Sequence, residues 1–117
     1  MSRQMLRALL LPVDGTPLRV VDVEHDWAAM AQVIGGDYVE HVRTRVRGVA
    51  LMVDEEGALR DDRVLNFRAT RLYPGRIFGA ALVLAEVDTV EGRDVASLTA
   101  DQQQAVLELF VGIESRS

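Results

Sequence analysis

The chain has 117 residues and a formal net charge of -5, and 49% of its residues are apolar. This length suits one domain, and the composition predicts a globular protein. There is no cysteine, which excludes disulfides and thiolate metal sites. The net negative charge argues against sequence-independent nucleic-acid binding, because such binding depends on a basic face.

The beginning of the chain predicts a β-hairpin. Residues 4–13 are rich in leucine and residues 17–23 are β-branched, and the dipeptide Asp14-Gly15 lies between them. Two such runs around an Asp-Gly turn are typical of antiparallel neighbours. The leucine run is too short for a signal peptide and lacks its cleavage pattern, so we expect a first strand and a cytoplasmic protein.

A short helix should follow. Its apolar face consists of Trp27, Met30, Ala31 and Ile34. Asp26 can cap the helix N-terminus, and Gly35 can end the helix in a left-handed conformation. We expect Trp27 to anchor this helix into the core.

The middle of the chain predicts two strands. The apolar run Val49–Val53 indicates a central strand that is buried on both faces. Before it, Arg43, Arg45 and Arg47 alternate and would project from one side of an extended segment. We interpret this stripe as a solvated edge that resists strand-to-strand aggregation, rather than a binding surface.

The last third predicts a strand and a helix. Residues 58–75 should form a loop with an irregular or short helical turn, and residues 76–87 a strand in which Gly79 marks a bulge or a close approach. Residues 90–97 indicate a polar surface turn. In the closing helix, Thr99 and Gln102 form a capping box. Its apolar face is Val106, Leu109, Phe110 and Ile113.

These elements predict one α+β domain spanning residues 1–117. We expect a mainly antiparallel sheet of four to five strands, packed with two to three helices that cover one face. An exposed sheet edge and the high apolar content favour a homodimer or a larger homo-oligomer.

No motif specifies a reaction or a cofactor. The chain lacks G-x-S-x-G, G-x-x-x-x-G-K-[ST], H-E-x-x-H and G-x-G-x-x-G. We interpret His25 as a helix-entry residue and His41 as a strand residue rather than as catalytic groups. The acidic residues at 54–56 and 61–62 could hold Mg²⁺ or Ca²⁺, but adjacent acids in turns usually face water, so we expect no metal site.

The stretch LNFRATRLYPGR, residues 65–76, is the strongest candidate site. It combines arginines with neutral hydrogen-bonding groups, which together suit a phosphate or nucleotide ligand. The candidate ligand-binding residues are Asn66, Arg68, Thr70, Arg71, Tyr73 and Arg76. A helix would place Arg68 and Arg71 on one side, whereas an extended segment would pair Arg68 with Thr70. The alternative is a rim of solvated arginines over a structural asparagine.

Several segments occur together in a familiar order: ALLLPVDGTPLRVVDV, VIGGDYVEHV, MVDEEGAL, LNFRATRLY and GRIFGAALVLAEVD. In this order the chain resembles the domain-of-unknown-function family 3846 of phages and of actinobacterial and clostridial genomes. The most specific pieces are Gly35-Gly36 before Tyr38, Asn66 with Ala69-Thr70, and Gly79. The resemblance transfers no catalytic residue and implies the setting of a phage or prophage accessory protein.

Three functions remain open from the sequence. The first is a non-enzymatic protein that sequesters a small anionic, nucleotide-like ligand to counter host defence. The second is a protein-protein interaction module that inhibits a host factor through an acidic face, formed by Asp54, Glu55, Glu56, Asp61 and Asp62. The third, an enzyme using His41 or a carboxylate, has no visible base and nucleophile pair to support it.

Overall fold

A computed structural model describes residues 4–111 as one sheet with helices packed against it. The strands are β1 Met5–Leu11, β2 Arg19–Glu24, β3 Val39–Arg43, β4 Val49–Asp54, β5 Ala81–Thr89 and β6 Gly92–Ala96, and the α-helices are α1 Trp27–Ile34, α2 Phe67–Leu72 and α3 Ala100–Leu109. The strands run in the order β2-β1-β5-β4-β3, and β6 also pairs with β5. Every pairing is antiparallel, which confirms the α+β class with six strands rather than four to five.

The additional strand is β6, where the sequence predicted only a surface turn. It forms a hairpin with β5, and the Thr89 hydroxyl donates a 2.8 Å hydrogen bond to the Gly92 carbonyl across the turn. Within β6 only Val95 is buried, so the segment shows no apolar alternation from which a strand could be recognised. Pairing with the long strand β5, rather than a hydrophobic face of its own, makes it a strand.

Helices cover both faces of the sheet, so the prediction of a one-sided sheet was wrong. On one face α1 buries Met30 and Ile34 against even-numbered residues of β1 such as Leu6 and Leu10. On the other face α2 and α3 pack over the odd-numbered residues, including Leu9. The near-continuous leucine run of β1 fits this arrangement, because a strand that is buried on both faces has no solvent-facing positions for polar residues.

Helix α1 has the predicted ends but not the predicted anchor. The Asp26 carboxylate accepts a hydrogen bond from the Ala29 N–H at 3.1 Å, and Gly35 ends the helix with a φ of 81°. Trp27, however, is 43% exposed, and its ring lies 6.3 Å from the ring of His41 on β3. As the first residue of the helix it points over the β3 edge, while the buried anchors are Met30 and Ile34.

Strand β4 is central, as predicted: Val49–Val53 are all buried, and the strand lies between β3 and β5. The preceding arginines do not form one strand stripe, because only Arg43 lies on β3, while Arg45 and Arg47 lie in the turn before β4. All three side chains are exposed. This is consistent with their interpretation as a solvated surface.

The capping box of α3 is confirmed. The Gln102 N–H donates to the Thr99 hydroxyl at 3.1 Å, and the Thr99 N–H donates to the Gln102 side-chain oxygen at 3.0 Å. Val106 and Phe110 are buried, whereas Ile113 lies outside the described residues. Of the helices in residues 4–111, none combines the length and apolar character needed to cross a membrane.

Candidate functional site

Asn66, the centre of the predicted site, is a buried structural residue and only 2% exposed. Its side-chain amide donates to the carbonyl oxygens of Leu11 and Gly79, both at 3.0 Å. Its side-chain oxygen caps α2 by accepting from the Ala69 N–H at 3.1 Å. Both amide protons are therefore used inside the protein, and the side chain ties β1, α2 and the segment before β5 together.

The helical alternative for this stretch is correct, because Phe67–Leu72 forms α2. The Thr70 hydroxyl donates to the Phe67 carbonyl within the helix at 2.7 Å. Tyr73 packs partly buried against the core, whereas Arg71 and Arg76 are exposed. Of the six predicted residues, Asn66 and Arg68 line a common hollow.

A cleft of about 370 Å³ lies on the neighbouring side of the β1–β2 turn. Four separate parts of the chain enclose it: the hairpin turn, the end of α1, the segment after β4, and the residues before β5. Its lining residues are Leu10, Pro12, Val13, Asp14, Arg19, Gln32, Val33, Ile34, Gly35, Asp54, Gly57, Arg60, Asp62, Arg63, Val64, Phe78, Gly79 and Ala80. This volume lies in the range of about 300–1,000 Å³ that is typical of small-ligand pockets.

One ion pair in the cleft is structural. The Arg60 Nε donates to Asp54 Oδ2, and this hydrogen bond together with the opposite charge raises the pKa of Arg60. The Asp54 side chain is only 7% exposed. The same carboxylate accepts from the Glu56 N–H at 3.0 Å, so Asp54 organises the turn after β4 and its charge is neutralised locally.

Asp14 is likewise occupied. Its carboxylate accepts from the Thr16 hydroxyl at 2.5 Å and from the Thr16 N–H at 3.1 Å. These two hydrogen bonds lower the pKa of Asp14, because they stabilise the charged form. The carboxylate thus holds the turn of the β1–β2 hairpin.

Arg19 and Arg63 differ from these paired groups. Arg19 Nη1 lies 3.4 Å from the Thr16 hydroxyl and 3.4 Å from the Pro17 carbonyl. Arg63 Nη1 donates to the Ala58 carbonyl at 3.3 Å, and its guanidinium lies over the Phe78 ring at 5.4 Å from the centroid. Among residues 4–111, neither guanidinium forms an ion pair with a carboxylate. Each keeps donor groups that can bind an anion.

Glycines shape the floor of the cleft. Gly57 is buried against Phe78, since a Cβ built on it would lie 2.7 Å from the Phe78 carbonyl oxygen. Gly79 has a φ of 86°, and a Cβ there would contact nothing within 4 Å. The Asn66 amide donates a hydrogen bond to the Gly79 carbonyl oxygen, so the buried asparagine fixes the backbone of this lining residue.

The two histidines lie elsewhere. His25 contacts Gln4 Oε1 at 3.1 Å and Asp94 Oδ1 at 2.9 Å, and the bond from His25 lowers the pKa of Asp94. His41 Nε2 lies 3.0 Å from Glu86 Oε1. Neither histidine lines the cleft. Within the described part of the chain, no group of three or more His, Asp or Glu side chains could hold a metal ion.

Sequence reasoning missed this cleft because Arg19 and Arg63 lie far apart in the sequence. Arg19 follows the hairpin turn, and Arg63 lies in the loop after β4. The available signals were the turn glycines, since Gly35 and Gly57 both line the cleft. A cluster of arginines in the sequence is easier to notice than two arginines that meet only after folding.

Comparisons with known proteins identify the family and the fold. A family model described as Domain of unknown function (DUF3846) matches residues 6–111. No curated protein matches the chain. The crystal structure of the small RNA methyltransferase HEN1 is similar over 92% of this chain, with a TM-score of 0.69 and 13% sequence identity. Because the match covers only 16% of that chain, it shows a shared fold and nothing about activity.

Proposed function

We propose that this chain, which belongs to the family described as Domain of unknown function (DUF3846), binds a small anionic, nucleotide-like ligand in the cleft beside the β1–β2 turn. The observation that carries the proposal is the pair Arg19 and Arg63. Both guanidinium groups line the cleft, and their hydrogen bonds in residues 4–111 go to neutral oxygens rather than to carboxylates. Forked hydrogen bonds to phosphate oxygens are the interaction that such groups form best.

The rest of the lining suits the non-phosphate part of such a ligand. Phe78 contributes an aromatic ring, and Val33, Ile34 and Val64 supply apolar surface. A base can stack on an aromatic face or rest against aliphatic side chains while its phosphate reaches an arginine. Asp62 is exposed and can accept hydrogen bonds from a base amino group or a ribose hydroxyl.

Binding without turnover is the simpler function for this lining. A hydrolase needs a nucleophile with a base in reach, and neither histidine contributes to the cleft. Of the three carboxylates of the cleft, Asp14 and Asp54 are held by Thr16 and Arg60, and the exposed Asp62 has neither histidine beside it in the cleft. We therefore propose sequestration as the mode of action, and a phage protein that counters a host nucleotide signal as its setting.

The test is binding of 5′-AMP and inorganic phosphate to the full chain by isothermal titration calorimetry. A charged hydrogen bond contributes about 1.5–3 kcal/mol, so Arg19→Ala and Arg63→Ala should each weaken 5′-AMP binding about tenfold or more. Arg93→Ala, an exposed arginine on β6, is the matched control and should leave binding unchanged.

Two results would overturn the proposal. One is that neither anion binds the wild-type chain. The other is that Arg71→Ala and Arg76→Ala abolish binding while Arg19→Ala and Arg63→Ala do not, which would place the site on α2 and the loop after it.

The alternative of an acidic inhibitory face is weaker because one of its five residues is already used. Asp54 is paired with Arg60 and nearly buried, while Glu55, Glu56, Asp61 and Asp62 remain exposed. Recovery of a specific host protein that is lost on Glu55→Gln and Glu56→Gln, with no nucleotide binding, would favour this alternative.

A further inference from the structure

A second hollow of about 390 Å³ adjoins the cleft. It is lined by Pro12, Val13, Gly15, Thr16, Val64, Leu65, Asn66, Phe67 and Arg68. Pro12, Val13 and Val64 line both spaces. The divider that they form is apolar, so it presents no charged side chain that would repel a ligand lying across it.

Each of the two spaces combines an aromatic ring with an arginine. The cleft has Phe78, and the Arg63 guanidinium lies 5.4 Å from the centroid of its ring. The hollow has Phe67 followed by Arg68 at the beginning of α2, and the Phe67 side chain is 66% exposed although it is large and apolar. An aromatic face for a base and an arginine for the neighbouring phosphate are the recurring elements of single-stranded nucleotide binding.

The hairpin turn connects the polar groups on the two sides. Thr16 lines the hollow, Arg19 lines the cleft, and the Thr16 hydroxyl lies 3.4 Å from Arg19 Nη1. The combined groove contains four arginines and three aspartates, in a chain whose net charge is -5. The groove is therefore locally more positive than the protein as a whole.

We infer that the ligand is a single-stranded dinucleotide that lies across the divider, with one nucleotide in the cleft and one in the hollow. This inference rests on the proposed function, because it assigns the first nucleotide to the Arg19 and Arg63 side. Two units match the two adjoining spaces, of which the cleft is lined by one phenylalanine, Phe78, and the hollow by another, Phe67.

The experiment compares the full chain's affinity for 5′-phosphorylated adenosine ligands of one, two and three nucleotides by calorimetry. Stacking of one base contributes about 1–3 kcal/mol, so pApA should bind about tenfold or more tighter than pA, and pApApA no tighter than pApA. Phe67→Ala should bring the affinity for pApA down to the level of pA. Val90→Ala, which removes an exposed apolar side chain from the β5–β6 turn, is the matched control and should preserve the difference.

The outcomes separate this inference from the proposed function. If pA binds in a manner that depends on Arg19 but pApA binds no more tightly, the inference of a dinucleotide ligand is wrong, while the proposal of anion binding in the cleft stands. If the advantage of pApA persists in Phe67→Ala, or if pApApA gains a further tenfold, the two-unit limit or the role of the hollow is wrong. If none of the three ligands binds, the proposed function fails as well.

Discussion

The α2 segment, residues 65–76, and the cleft beside the β1–β2 turn both contain arginines, but their polar groups are used in opposite ways. In the α2 segment the least exposed polar residue, Asn66, donates both amide protons to carbonyl oxygens of the protein. In the cleft, Arg19 and Arg63 use only some of their N–H groups in hydrogen bonds, and the acceptors are neutral. A polar group that is fully bonded inside the protein stabilises the fold, whereas one with spare donors beside an open space can bind a ligand.

The contrast shows why residue type alone does not identify a site. Arg60 and Arg63 lie three residues apart on one loop, yet Arg60 is paired with a carboxylate and Arg63 lies over an aromatic ring. The difference is created by Asp54 at the end of β4, before this loop, and by Phe78 in the segment before β5, after it. The following predictions test how far the α2 segment is structural and the cleft functional.

The largest effect should come from Asn66→Ala, which we expect to lower the free energy of unfolding by about 2–4 kcal/mol. The change leaves the carbonyls of Leu11 and Gly79 and the N–H of Ala69 without this partner in the core. Urea denaturation monitored by circular dichroism measures it. Asn66→Asp keeps the cap acceptor but loses both donors, so it should destabilise the protein as well.

Arg71→Ala, an exposed position of the same segment, is the control and should change stability by less than about 0.5 kcal/mol. A single hydrogen bond contributes about 1 kcal/mol to the free energy of unfolding. If Asn66→Ala lowers the free energy of unfolding by less than this, the structural role is contradicted.

Intermediate effects should come from the two cleft glycines, as a matched pair. Gly57→Ala places a methyl group 2.7 Å from a backbone oxygen, so it should cost about 1–3 kcal/mol through overpacking. Gly79→Ala meets no neighbour within 4 Å and should cost only the conformational penalty of its positive φ, about 1–2 kcal/mol. Urea midpoints of the two variants, measured side by side, give the order.

If Gly79→Ala proved the more destabilising of the pair, close packing at Gly57 would not be what defines the cleft floor.

The smallest effect should be the acid dependence contributed by Asp14, a carboxylate of the cleft. The hydrogen bonds from Thr16 hold its folded pKa below the ordinary value of an aspartate, so its stabilisation is present above about pH 4 and is lost as the pH falls through the lowered pKa. Asp14→Asn should therefore lower the urea midpoint slightly at pH 7, and the difference from the wild type should shrink as the pH falls below about 4. A difference that grows as the pH falls would have the wrong sign for this carboxylate.

Local signals in the sequence predicted several elements correctly. The hairpin around Asp14-Gly15, the ends of α1 and the capping box of α3 each depend on residues close together in the chain. Strand β6 was missed because its stability comes from pairing with β5, and Trp27 was misplaced because helical spacing does not say which end of a helix overhangs the sheet. For Asn66 the sequence left a ligand site and a structural role open, and its hydrogen bonds to backbone groups favour the structural role.

The sequence by itself determined the α+β class, the positions of most turns and helix ends, and membership of a family whose description names no activity. Those features follow from backbone preferences and from the spacing of apolar residues, which act over a few residues. The tertiary structure alone decided that Asn66 faces inward and that Arg19, Arg63 and Phe78 border one cleft. That meeting depends on how the strands pair and which face of the sheet α1 covers, and no short stretch of sequence encodes either.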